Sequence, residues 1–349
     1  METGSPMLKE SAGNFFEDFS LGKKIVHATP RTITAGDQAL YTALYGSRFA
    51  VQSSDEFANA IGYPKSPIDD LLVFNVVFGK TVADISLNAI ANLGYAECMF
   101  LKAVYAGDTL SARSEIIGLK ENSNGKTGTV YVRSRGRNQH GEDVLSFVRW
   151  VMVRKRDDKS APPAANVPEL QKVANVEAEL PRMDMAKWNF ELSGSPRRFD
   201  DYAVGEKIDH LDGMTVEEAE HQLATRLFQN TARVHFNQFA ETSGRFGRRL
   251  VYGGHVISLA RALSFNGLAN AFQIAGINGG RHVAPLFAGG TVFSWSEIVD
   301  KATHGEVGAL RIITRATRDL PCGDFPTEDG TPEKPGVILE LDYWALIPR

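Results

Sequence analysis

Phe16-Glu17-Asp18-Phe19-Ser20-Leu21-Gly22-Lys23-Lys24-Ile25-Val26-His27 returns 183 residues later as Phe199-Asp200-Asp201-Tyr202-Ala203-Val204-Gly205-Glu206-Lys207-Ile208-Asp209-His210. Two further pairs are collinear with it. Ala106-Gly107-Asp108-Thr109-Leu110 returns as Ala288-Gly289-Gly290-Thr291-Val292, and Ser114-Glu115-Ile116-Ile117 as Ser296-Glu297-Ile298-Val299, both at an offset of 182. Arg149-Trp150-Val151 has a late echo in Tyr343-Trp344-Ala345, whose larger offset fits an insertion around Asp319 to Gly336. A period this long is far beyond the roughly 20–45 residues of a solenoid repeat, so the chain reads as two similar domains. The sequence predicts an N-terminal repeat over residues 1–157, a linker over 158–198 and a C-terminal repeat over 199–349. Pro162, Pro163, Pro168, Pro181 and Pro196 mark the linker, with a short helical piece expected around Glu169 to Glu179.

Each half shows the same order of elements. Thr215-x-x-Glu218 reads as a capping box, followed by the amphipathic stripe Val216, Ala219, Leu223, Leu227. Thr34-x-x-Asp37 opens the matching helix, carrying Leu40 and Leu44. A second helix, apolar almost all round, is expected from about Gly254 to Leu268, with a counterpart from Ile68 to about Phe78; such helices are enclosed by other structure. The remainder reads as strands: Thr127 to Ser134 and Asp143 to Lys155, then Gly308 to Thr317 and Val337 to Ile347. A buried helix followed by consecutive strands implies an antiparallel sheet wrapped around that helix. This is an α+β, hot-dog arrangement, doubled here into a double hot dog.

Bulk properties exclude several classes. The 349 residues suffice for one large domain or two ordinary ones. With 43% apolar and 23% charged residues the composition is globular, and a formal charge of −4 points to no nucleic-acid or membrane partner. Cys98 and Cys322 are too few for a disulfide framework or a metal cluster. Met1 to Ala12 is polar, without the apolar core of a secretory signal, and the longest apolar run, Leu71 to Phe78, is too short for a bilayer. The expectation is a cytoplasmic protein. No phosphate-binding loop, dinucleotide fingerprint or metal-spaced His or Cys cluster is present, so no cofactor and no metal are expected.

The chemistry concentrates in Gln229-Asn230-Thr231-Ala232-Arg233-Val234-His235-Phe236-Asn237, between the two helices of the second half. An imidazole in such a loop has ordinary structural uses. Here it is flanked by Asn230 and Asn237, and Gly253-Gly254 follows at the start of the buried helix. Backbone N–H groups at a helix N-terminus, unobstructed by side chains, suit a developing negative charge. Histidine plus glycine amides is what proton transfer beside a thioester carbonyl requires. His140, His210, His221, His282 and His304 share no spacing with this group and read as incidental.

These residues resemble the MaoC-like, R-specific enoyl-CoA hydratase family of hot-dog proteins. Its signature is Gly-Asp-x-Asn-Pro-x-His-x-Asp after an amphipathic helix, with a His-Gly pair opening the central helix. There, Asp and His five residues apart activate water, and a glycine N–H forms the oxyanion hole. The resemblance places that His at His235, the Asp at Asn230, the last Asp at Asn237 and the glycine at Gly253 or Gly254. The first half keeps the framework, including Ala106 to Leu110, but has Ser47 and Gln52 (or Ser53) at the site positions. Neither is an acid or base, so one working and one retired site are expected. Asn230 cannot take a proton, which departs from the family's pattern.

The two-repeat length and the Gln229–Asn237 run are similar to the mesaconyl-CoA hydratase (β-methylmalyl-CoA dehydratase) branch. The resemblance implies a hydro-lyase acting reversibly on a short branched enoyl-CoA, mesaconyl-CoA. Another enoyl-CoA hydratase, a thioesterase on the same oxyanion site and a non-catalytic acyl-CoA-binding module are the alternatives. The substrate's free carboxylate needs a cation, for which Arg233 stands nearest His235 in sequence. Arg245, Arg248 and Arg249 precede the glycine pair and could meet the phosphates of coenzyme A; His255 could support the site from behind. A homodimer is the expected assembly.

Overall fold

The computed structural model describes residues 12–174, 182–304 and 306–349. In the first half, strand β1 (Lys24–Thr32) leads to helices α1 (Ala35–Tyr45), α2 (Ala50–Ser53), α3 (Asp55–Ala60) and α4 (Asp70–Ile85). Four long strands follow: β2 (Ala89–Phe100), β3 (Thr109–Glu121), β4 (Thr127–Arg137) and β5 (Asp143–Arg154). The second half repeats the plan. It has β6 (Lys207–Asp209), β7 (Met214–Thr215), α5 (Glu218–Leu227), α6 (Gln238–Glu241), α7 (Gly253–Leu263) and α8 (Phe265–Leu268), then β8 (Gln273–His282), β9 (Thr291–His304), β10 (Val307–Arg318) and β11 (Gly336–Pro348).

All strands form one antiparallel sheet in the order β1-β3-β4-β5-β2-β8-β11-β10-β9-β6, with β7 on β9. The halves join edge to edge where β2 pairs with β8, from Tyr95 opposite Gly280 to Met99 opposite Gly276. Joining there removes two sheet edges that would otherwise stand open. The sheet wraps α4 and α7, whose Phe74, Phe78, Val256 and Leu259 belong to one apolar core drawn from both halves. This is the double hot dog expected from the repeat.

Side chains repeat as well as elements. His27 is buried with Nε2 2.7 Å from Ser114 Oγ, which meets Ser134 Oγ at 2.7 Å. His210 is buried with Nε2 2.8 Å from Ser296 Oγ, which meets Thr314 Oγ1 at 2.7 Å. His210 is therefore part of the frame. Thr32 and Thr109 share a 2.8 Å hydroxyl contact, and Thr215 and Thr291 share the same one.

That last pair corrects the capping reading in the second half. Thr34 does cap α1 reciprocally with Asp37: Asp37 N–H donates to Thr34 Oγ1 (3.1 Å) and Thr34 N–H to Asp37 Oδ2 (2.8 Å). Thr215, however, is the counterpart of Thr32, in strand β7; α5 begins after Glu217, without a side-chain cap. The buried helices also differ in extent. α4 runs on to Ile85, and α7 stops at Leu263 because Asn266 and Gly267 leave helical geometry. No helix occupies Glu169 to Ala174; the rest of that expected piece lies outside the described residues. Farther along the linker, Trp188 packs its indole on Phe57 and Phe272, with ring centroids 5.0 and 5.2 Å apart.

Candidate active site

The loop after α5 is shaped by its own polar groups. Gln229 takes a left-handed backbone conformation (φ +51°), and Asn230 Oδ1 accepts the N–H of Ala232 at 2.9 Å. A single 3-10 turn, Arg233–His235, follows. Leu250 then closes the loop from the other side, donating its N–H to Val234 O at 2.9 Å. Its carbonyl takes the N–H of His235 Nδ1, also at 2.9 Å. A carbonyl can only accept, so the proton is on Nδ1 and Nε2 carries a free lone pair. Burial pushes the His235 pKa down to about 4 against the opposing effect of the Leu250 bond, and His221 pushes it the same way. His235 is thus a neutral imidazole with a fixed tautomer, a base.

The helix N-terminus lies alongside. Tyr252, the residue before α7, packs its ring 5.3 Å from that of His235. Among the described residues, neither Gly253 nor Gly254 donates its N–H to an acceptor, as the first turn of a helix leaves its amides unpaired. Both glycines are held by close neighbours: a Cβ on Gly253 would stand 2.5 Å from His282 Nε2, and one on Gly254 would stand 1.9 Å from Asn75 Oδ1. Asn75 comes from α4, so the first half presses directly on the second half's helix start.

In the first half the same place is filled. The N-cap of α4 is Asp69 and its first residue is Asp70, where α7 has Tyr252 and Gly253. Asp69 accepts Leu71 N–H at 2.9 Å, and Asp70 accepts Ile274 N–H from β8 at 2.8 Å. The corresponding helix end carries its own carboxyl groups instead. Gln52, opposite His235 when the helix starts are aligned, donates Nε2–H to Phe272 O at 2.8 Å.

The other sequence candidates fall in varied places. Arg233 is exposed, and Asn237 caps α6 by accepting Ala240 N–H at 3.0 Å. Arg245 and Arg248 are exposed, the latter over the Phe287 ring at 3.9 Å. Arg249 is occupied by α5, reaching Glu218 and, at 2.7 Å, Gln222. His255 is buried, with Nδ1 3.0 Å from Tyr45 OH. Three groups had no signal in spacing. His282 in β8, incidental by spacing, keeps a buried Nε2 with no hydrogen-bond partner among the described residues, and burial, then His235, lower its pKa to about 4. Arg149 is fully buried, bonded to Thr81 and Ser86 and stacked on Phe78 at 4.3 Å. Lys80, on the part of α4 beyond the expected helix end, is also buried.

A cavity of about 470 Å³ opens between the halves, lined by Thr29, Gly79, Lys80, Arg226, Asn230 and Phe236, among others. It reaches the loop that carries His235, and among the described residues no acidic one lines it. Asn230 is buried, with its amide beside the Tyr252 phenol, whose OH lacks a well-formed hydrogen bond. With Oδ1 already accepting Ala232 N–H, the NH2 of Asn230 adds two N–H donors at this place.

The family model of mesaconyl-CoA hydratase matches residues 7–317. A β-methylmalyl-CoA dehydratase of Chloroflexus aurantiacus is 59% identical over 347 residues, covering 98% of this chain and 99% of that protein. A mesaconyl-CoA hydratase of Cereibacter sphaeroides is 58% identical over 350 residues, covering 98% and 100%. Among solved structures, a Mycobacterium tuberculosis protein described as a double hot dog superposes with a TM-score of 0.75 at 26% identity, covering 96% of this chain and 98% of that one.

Proposed function

The chain belongs to the mesaconyl-CoA hydratase family, and on that footing we propose that it catalyses the reversible hydration of mesaconyl-CoA to β-methylmalyl-CoA. The observation that carries the site assignment is the pairing of His235, with Nδ1–H spent on Leu250 O, and two unpaired helix amides at Gly253 and Gly254. In this mechanism Nε2 of His235 takes a proton from water as the water oxygen bonds to the carbon β to the thioester. The electron pair of the double bond moves onto the thioester oxygen, where the N–H of Gly253 or Gly254 holds the enolate. The imidazolium then returns its proton to the α-carbon, so water is consumed and His235 is neutral again. Asn230 donates an N–H to the attacking water, aligning its lone pair while His235 alone moves protons. The free enzyme keeps its base uncharged because burial disfavours the imidazolium.

The test is an assay of mesaconyl-CoA, crotonyl-CoA and free-thiol release side by side. Hydration consumes the double bond and liberates no thiol. Thiol release would make the protein a thioesterase, and tight binding of CoA esters without turnover would make it a binding module. His235→Ala should lower kcat by at least about 10²-fold, and near-normal turnover in that variant removes the site assignment. Among the described residues no helix is long and apolar enough to cross a membrane. We place the enzyme in the cytoplasm as a homodimer of the 38.2 kDa chain, which light scattering on the eluting protein would check.

A further inference from the structure

We propose that Lys80 binds the free carboxylate of the acyl group and thereby selects dicarboxylic over monocarboxylic enoyl-CoA substrates. The inference rests on the hydratase reading above and names a residue from the opposite half of the molecule.

Lys80 is 4% exposed and lines the cavity together with Asn230, the residue assigned to the attacking water. Its Nζ donates to two neutral acceptors, Thr29 O and, at 3.5 Å, Gln229 Oε1. Among the described residues it has no carboxylate partner. A buried ammonium without a counter-ion is costly, and proteins usually pair such a charge or neutralise it. The neighbouring charges do not serve. Arg226 at the cavity wall and Arg31 behind it are cations, and Asp84, one turn along α4, is bonded to His27 at 2.7 Å. Arg149 is enclosed by Thr81, Ser86 and the Phe78 ring and lines no part of the cavity. The site is therefore built for an anion that arrives with the ligand, leaving Lys80 one N–H to give it. Coenzyme A brings phosphates to any acyl-CoA enzyme. Lys80 shares its cavity with Asn230, the residue given above to the attacking water, which favours the acyl end over the phosphates.

Three measurements decide. Wild-type turnover of mesaconyl-CoA comes first: its absence sinks the hydratase reading itself. Given turnover, kcat/KM for mesaconyl-CoA relative to crotonyl-CoA, which lacks the carboxylate, should fall on the order of 10²-fold in Lys80→Met and much less in Lys80→Arg. An unchanged ratio overturns the proposal. Equal losses on both substrates overturn it too, since Lys80 would then serve a CoA phosphate common to both.

The third arm uses wild type alone and so does not depend on the variants folding. Burial and, secondarily, Arg31 lower the Lys80 pKa to about 8. The ammonium is present below that pH and lost above it. kcat/KM for mesaconyl-CoA should fall as pH rises through about 8, while that for crotonyl-CoA stays level. Parallel profiles overturn the proposal.

Discussion

At His235 the decisive feature is which nitrogen carries the proton. A carboxylate at Nδ1 would fix the same tautomer but raise the pKa, favouring the imidazolium. Facing Leu250 O instead, the imidazole is neutral with its pKa held at about 4 by burial, which suits the role of base proposed for it. The sign follows: a base works in its neutral form, so kcat/KM is lost only as pH falls through the folded value. Activity at pH 5.5 should stay within about twofold of that at pH 7, and half-loss near 6.5, the ordinary histidine value, would contradict the assignment. Asn230→Asp keeps the oxygen that accepts Ala232 N–H, so the variant should fold. It loses the N–H donors that face the water, and kcat should drop; a gain would show that Asn230 is a lost acid rather than a working amide. His235 and Asn230 were legible as candidates because they share one short motif, and the glycine pair because it opens the buried helix 18 and 19 residues after His235. His282 was not, because a strand residue 47 positions beyond His235 meets it only through the fold.

The helices explain why the two halves depend on each other. Gly79 sits in the buried stretch of α4 with its bare Cα facing the loop after α5; a Cβ there would stand 2.0 Å from Phe228 O and 3.4 Å from Asn230 N. Both are backbone atoms, so no rotamer change relieves the clash. Gly79→Ala should therefore push the Phe228–Asn230 segment off the helix. Overpacking of this kind costs about 1–3 kcal/mol, a melting-point drop of roughly 1–4 °C for a chain of this length. Unlike an ordinary core mutation, it should also lower kcat more than about tenfold, because Asn230 and His235 hang from that segment. Calorimetry and turnover on one preparation check both; a stable variant with full activity would mean that the contact is slack. The apolar run of α4 ends at Phe78, and Gly79-Lys80-Thr81 looks like an exit from the core. In the fold those residues stay inside, because the second half supplies the surroundings that a single repeat lacks. The repeat itself was easy to see, since its turns and its strand-entry residues recur in order.

For the whole molecule, one sheet and one shared core make a single interior into which titratable groups from both halves are drawn. His210, His235 and His282 are held at about 4 and His255 at about 3, all chiefly by burial, and burial lowers His27 and His221 as well. Unfolding exposes these six imidazoles to water, where they protonate near 6.5. Asp69 and Asp70 act the other way, since burial raises both and the folded chain keeps protons that the unfolded chain releases. Six lowered bases against two raised acids leave the unfolded state binding more protons between about pH 4 and 6.5. Stability should therefore be fully present above about 6.5 and decline as pH falls towards 4, each unmatched proton steepening the slope by about 1.4 kcal/mol per pH unit. Urea midpoints at pH 7 and pH 5 test this, and equal or higher stability at pH 5 would contradict it. Because His210 belongs to the frame and not to the site, His210→Gln should flatten the slope by one proton while leaving the pH dependence of kcat/KM where His235 sets it. Acid stability and acid activity would then be separable, although both arise from burying neutral imidazoles.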